Sequence, residues 1–236
     1  NDRVYVVSTD SYLYCLDSST GRLLWKFKAE GPLTRMICVY QGIVYLPTGR
    51  FLYAIDEKNG KVLWGRRDES FGFYGTPTIV NGKIFYGNRR GFFARNLSNG
   101  HIIWENKDIY TYSGFPSNWN EMIYTVSKEF HSEKARLICL LEKDGSIKWS
   151  SDIPNPPNIY SPVVYNENIF LSIGKHLMVF NAENGDLIYK KNFDTNLSSN
   201  PVFSNGSIFL SLIDGSIIKV DPENGNYKVI YNVNYG

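Results

Sequence analysis

The residues of this chain that could do chemistry are three cysteines, three histidines and a recurrent acidic or amide turn closed by glycine. A thiolate nucleophile or a metal site needs partners at short spacing. Cys15, Cys38 and Cys139 fall in separate stretches with no Cys-x-x-Cys pair, so neither a disulfide framework nor a zinc clip is encoded. His101, His131 and His176 have no second histidine or cysteine two or four residues away, so they read as loop histidines, not ligands. Asp17 to Gly21 and Asp221 to Gly225 begin like calcium loops but lack the closing bidentate Glu. Asn96, Asn196 and Asn205 each start a glycosylation pattern, an accident expected where Asn and Ser crowd the turns. No catalytic, cofactor or metal residue is assigned.

Composition narrows the classes further. The chain has 236 residues, 43% of them apolar, enough for a large core and too many for a disordered tail. Charged residues are 20% and the net charge is +2, which makes no case for nucleic acid as a partner. No apolar run approaches the ~18 residues of a membrane-spanning helix, so no membrane insertion is expected from this segment. Asn1-Asp2-Arg3-Val4 shows no basic-then-apolar leader pattern.

The glycine turns are copies of one unit. Cys15 to Trp25, Ala54 to Trp64, Ala94 to Trp104 and Cys139 to Trp149 share one pattern, ending in Trp. A fifth copy ends in Tyr189 and a sixth in Val229. Their glycines, Gly21, Gly60, Gly100, Gly145, Gly185 and Gly225, are spaced 39, 40, 45, 40 and 40 residues apart. Between the copies runs a second pattern, seen in Pro77 to Tyr86, Pro116 to Tyr124, Pro162 to Phe170 and Pro201 to Phe209.

Each repeat therefore reads as four short strands, A to D. Asn-Gly, as at Asn81-Gly82, favours the positive-φ turn that matches hairpin twist and joins A to B. In the C–D turn, Asp or Asn bonds to amides two residues on and Gly takes the left-handed position. Val4 and Val6 alternating with Tyr5 and Val7 fit period two, and no stretch shows a helical apolar face. A four-stranded antiparallel sheet repeated about every 40 residues predicts an all-β chain, a β-propeller with six blades present.

The Ala-x-Asp-x-x-Asn-Gly-Lys-x-x-Trp stretch at 54–64, with its close copies at 15–25 and 94–104, resembles the tryptophan-docking motif of the quinoprotein-like, PQQ-like repeat propellers. The resemblance spans nearly the whole chain and implies that Trp25, Trp64, Trp104 and Trp149 dock between neighbouring blades. It implies no single function, because the family includes quinone-dependent dehydrogenases, an outer-membrane assembly lipoprotein, lumenal sensors and cell-surface ectodomains. The dehydrogenases imply a calcium site, a catalytic Asp and a vicinal Cys-Cys pair. This chain has no Cys-Cys and none of the long insertions. No cofactor and no enzyme activity are expected; the quinone-dependent oxidoreductase is kept as an alternative, as is a structural ectodomain.

One asymmetry points to a binding face. The A–B and C–D turns lie at one end of each sheet and are nearly uniform. The D–A and B–C loops lie at the other and vary. The variable end carries Arg50, Arg66, Arg67, Arg89, Arg90, Lys128, Lys134, Arg136 and Lys175. It also carries Phe71, Phe73, Tyr74, Tyr110, Tyr112, Phe115 and Tyr160. Arginine with aromatics is the composition of protein interfaces, and loops on a rigid scaffold are where binding resides. The expectation is a non-enzymatic scaffold or sensor, working outside the cytoplasm. Its partner is another protein or the remainder of a longer polypeptide. Residues 1–5 align with 81–85, so the first blade is expected to lack strand A. Counting from Val229 places the next strand A near 241, beyond Gly236. Closure at six blades, or membership of a seven- or eight-bladed ring, are the alternatives.

Overall fold

The computed structural model describes residues 2–31, 33, 36–67, 76–88, 90–111, 115–128, 135–154 and 159–232. The described chain contains 23 strands and no helix. It divides into two compact units, Asn1–Phe115 and Pro116–Gly236.

The first unit holds three antiparallel sheets. The first sheet has three strands, β1 (Arg3–Val7), β2 (Tyr12–Asp17) and β3 (Leu23–Lys28). The second has β4 (Cys38–Tyr40), β5 (Ile43–Pro47), β6 (Phe51–Asp56) and β7 (Val62–Arg67) in sequence order. The third follows with β8 (Thr78–Val80), β9 (Lys83–Asn88), β10 (Gly91–Asn96) and β11 (Ile102–Asn106).

The second unit repeats the plan three times. Its sheets are β12 (Ser117–Trp119), β13 (Met122–Lys128), β14 (Ala135–Leu141) and β15 (Ile147–Ile153); β16 (Val163–Tyr165), β17 (Asn168–Ile173), β18 (His176–Asn181) and β19 (Leu187–Asn192); and β20 (Val202–Ser204), β21 (Ser207–Ser211), β22 (Ile217–Val220) and β23 (Tyr227–Tyr231).

Local chemistry sets this plan. The A–B turns take two positive φ values in a row, as at Asn81 (48°) and Gly82 (69°), the geometry that carries right-handed strand twist. In the C–D turns the side chain of Asp56 accepts from the amides of Lys58 (2.8 Å) and Asn59 (3.1 Å). Asp17, Asn181 and Asp221 repeat that bond two residues on. The fourth turn starts at Leu141 and has no such side chain; there the Gly145 amide donates to the Leu141 carbonyl, and Asp144 holds Ser146.

One feature escaped the sequence. The D strand of each of the first five sheets carries a β-bulge just before its aromatic residue. Ala54 pairs with Trp64 but Ile55 with Val62, leaving Leu63 extra. The same slip recurs at Cys15/Leu16, Ala94/Arg95, Cys139/Leu140 and Val179/Phe180. A bulge twists and re-aims the strand, so the two residues before the ring, aliphatic except for Lys148 in the fourth sheet, stay outside while the ring turns in. In the sixth sheet the slip moves to Ile217/Ile218, so Val229 pairs with Ile218 and Lys219 faces Lys228.

Apolar residues between successive sheets form the cores. Leu13 and Cys15 pack with Val44, Leu46 and Ile55 across the first pair of sheets. Tyr45 and Ala54 meet Ile84 and Tyr86 across the second pair. In the second unit Tyr124 and Cys139 meet Ile169 and Phe180, and Phe170 and Val179 meet Ile208 and Val220.

Candidate functional site

The docking residues are built from the bulge upward. Turned inward, the Trp25 indole N–H donates to the Glu57 carbonyl at 2.9 Å, in the C–D turn of the next sheet. The Trp149 indole does the same to the Ala182 carbonyl at 3.2 Å. Tyr189, in the fifth copy, reaches the equivalent Pro222 carbonyl with its hydroxyl at 2.8 Å. All three acceptors follow the first residue of the turn. The turn glycine leaves the space: a Cβ on Gly60 would stand 2.8 Å from the Trp25 ring, one on Gly100 2.7 Å from Trp64, and one on Gly185 2.5 Å from Trp149. At Gly225 the Tyr189 ring stands off at 3.1 Å. A groove of about 330 Å³ lined by Phe170, Val179, Tyr189 and Pro222 lies beside it. Trp25, Trp64 and Trp104 are buried and Trp149 half-buried. Trp104 packs on Phe85 and Phe92.

The cysteines line these contacts. Cys15 pairs across strands with Trp25, and Cys139 with Trp149. Burial pushes the Cys139 thiol up to about 12, and burial also raises Cys38. A thiol held neutral is a poor nucleophile. His176 bonds Asn192 through Nδ1 at 2.7 Å, and burial lowers its pKa. His131 lies outside the described residues. Among the described residues no group of three His, Cys, Asp or Glu could hold a metal ion. With no vicinal cysteines, the residues present do not fit the quinone and calcium that the repeat resemblance implies.

The candidate partner residues divide. Arg67 ends β7, exposed, directly opposite Phe51, which stacks on Tyr53 at 5.4 Å. Arg50 precedes Phe51, so both arginines occupy the loop end of the second sheet. Arg90 is exposed in the β9–β10 turn, the loop end of the third. Arg66 departs from expectation: one guanidinium nitrogen lies 3.3 Å from Nε2 of His101, at the tight-turn end of the next sheet. Phe115 and Tyr160 are half-buried, and the Tyr160 amide donates to the Ser172 carbonyl. Arg89, Phe71, Phe73, Tyr74, Tyr112 and Lys134 lie outside the described residues.

One polar residue was missed. Arg95 occupies a register that is apolar in the other sheets, and it is buried. Its guanidinium donates to the Tyr86 hydroxyl at 2.7 Å and the Gly100 carbonyl at 2.9 Å. An Arg at an otherwise apolar register of the repeat was the available signal.

Comparison with known proteins defines the class. The family model described as outer membrane protein assembly factor BamB matches residues 1–72 and 73–151. The chain belongs to this family of PQQ-like repeat β-propellers. It is 25% identical to the outer membrane protein assembly factor BamB of Escherichia coli (strain K12) over 148 residues, 61% of this chain and 36% of that protein. BamB of Moranella endobia is 25% identical over 144 residues, 60% of this chain and 35% of that one. The chain thus spans about a third of the length of the curated relatives it matches. Among solved structures, BamB from Moraxella catarrhalis superposes with a TM-score of 0.76 at 16% identity, covering 93% of this chain and 69% of that one. The computationally designed Ika8 protein superposes at 0.80 and 10% identity, covering 98% and 71%. The fold is a β-propeller.

Proposed function

We propose that this chain is a non-enzymatic β-propeller scaffold that binds a partner protein through the loop end of its sheets. Its relatives are named outer membrane protein assembly factors, which supports a role in assembling such proteins, outside the cytoplasm. The observation that carries the reading is the contrast between the two ends of each sheet. The tight-turn end repeats one glycine-closed turn geometry and serves inter-sheet docking. The loop end places exposed Arg50, Arg67 and Arg90 with Phe51 on a rigid frame. Burial holds the Cys139 thiol protonated, which supports a structural and not a nucleophilic role for it. Photo-crosslinking from the loop end against the tight-turn end tests the proposal.

A further inference from the structure

The loop end of the second sheet carries a flat aromatic platform on a locked turn. The Thr48 hydroxyl, on a side chain only 1% exposed, accepts from the amides of Arg50 (3.2 Å) and Phe51 (2.8 Å). The Thr48 amide donates in return to the Phe51 carbonyl at 2.7 Å. The backbone at Arg50 and Phe51 is therefore fixed before any partner arrives, which lowers the ordering cost of binding. Across the strands Phe51 faces Arg67 and Tyr53 faces Gly65, so these four lie on one face of the sheet.

Gly65 lets the platform lie flat. A Cβ there would stand 3.1 Å from the Tyr53 ring, and the first, third, fourth and fifth sheets carry Lys26, Glu105, Ser150 and Lys190 at this register. Phe51 stacks on Tyr53 at 5.4 Å with 13° between the ring planes, and Phe27 of the first sheet meets Tyr53 edge-on at 5.1 Å. All three rings are half-buried, so part of each stays open to solvent. Arg50 and Arg67 beside them are exposed, and among the described residues neither forms an ion pair. The fourth sheet sets Arg136 directly opposite Asp152 at the register of Phe51 and Arg67, a pairing the second sheet lacks. Asp68 and Glu69, next along the chain, lie outside the described residues.

We propose, resting on the loop-end reading above, that this platform holds an acidic segment of the partner protein that carries an aromatic side chain. A carboxylate of the segment pairs with Arg50 or Arg67, and the adjoining ring lies on Phe51 and Tyr53. Two cations without counter-charges select an acidic segment over a basic one. The planar guanidinium takes a carboxylate through two parallel N–H bonds, and the stacked rings add apolar area and a preferred ring geometry. The net charge of +2 gives no support for a phosphate backbone in its place.

The test titrates the 236-residue protein with a short synthetic peptide whose central Phe is flanked by Asp, followed by amide chemical shifts. Saturable binding is expected, with shifts centred on Arg50, Phe51 and Arg67. Replacing the peptide's Asp residues by Lys, or its Phe by Ala, should weaken binding at least about tenfold. Arg67→Ala in the protein should weaken it about tenfold with the unfolding midpoint unchanged, because Arg67 is exposed. Arg67→Lys should recover only part of that loss, because an ammonium lacks the guanidinium fork. Equal binding by the acidic and basic peptides, tighter binding of a single-stranded oligonucleotide, or no saturable binding would each overturn the proposal. Shifts centred on Arg90 instead would overturn it and leave the loop-end reading standing, whereas photo-crosslinks confined to Lys58 and Lys61 would remove that reading itself.

Discussion

Trp25 meets three requirements at once: the bulge that turns it inward, a carbonyl 2.9 Å from its N–H, and a glycine that leaves room for the ring. Trp25→Ala should cost about 3–5 kcal/mol by removing the ring and leaving a cavity. Trp25→Phe keeps most of the area and removes only the indole hydrogen bond to the Glu57 carbonyl, which still accepts from Arg3, so it should cost less, about 0.5–1.5 kcal/mol. Urea unfolding measures both. A second residue-scale expectation concerns alkali. Burial raises Cys139, Tyr45 and Tyr189 to about 12, and Tyr124 further. These groups stay protonated in the fold, while the unfolded chain releases its protons near the ordinary values of about 8.5 for thiol and about 10 for phenol. Above those values the unfolded state binds fewer protons, so stability falls as pH rises. The urea midpoint should be level between about pH 7 and 8 and decline steadily above about pH 9. A level midpoint to pH 11 would show that these side chains are not buried as described.

Turns and bulges govern the next scale. Two A–B turns lack glycine at the second positive-φ position: Glu121 has φ 60° and Glu167 has φ 62°. Both are exposed, so Glu121→Gly and Glu167→Gly should each stabilise the protein by about 1 kcal/mol by relieving left-handed strain. Thermal unfolding of the two variants and their combination checks this; loss of stability would mean that the side chains make contacts outweighing the strain. The repeats made the turns and strands legible because Asn-Gly and Asp-x-x-Asn-Gly each admit few backbone geometries. The bulge was illegible: Val62-Leu63-Trp64 reads as a plain apolar run, and only pairing against Ala54 and Ile55 shows which residue is extra. Arg66 was misplaced for a related reason. Counting along β7 puts it near the loop end, but its long side chain runs back to His101. Arg95 was passed over because a buried arginine needs the Tyr86 hydroxyl and Gly100 carbonyl, which only the fold brings to it.

At the scale of the molecule, the two ends of each sheet divide the labour. Uniform turns at one end receive the aromatic docks, so that end is constrained by stability. The loop end holds none of these aromatic docks among the described residues, although Leu33 and Leu197 anchor its loops in the cores, and it is the end to which the proposed partner binding belongs. The three-stranded first sheet was legible from aligning residues 1–5 with 81–85, whereas the pairing of rings with turns was not: only the fold brings Trp25 to Gly60, Trp64 to Gly100 and Trp149 to Gly185. The central claim is that partner binding resides at the loop end. Its most direct measurement places a photo-crosslinking amino acid at Arg67 or Arg90, and in parallel at Lys58 or Lys61 in the opposite turn. Crosslinked products formed in the cell that makes the protein are then identified by mass spectrometry. The account predicts a discrete protein adduct from Arg67 and Arg90 and none from Lys58 and Lys61; adducts of equal yield from both ends, or from the turn end alone, would contradict it.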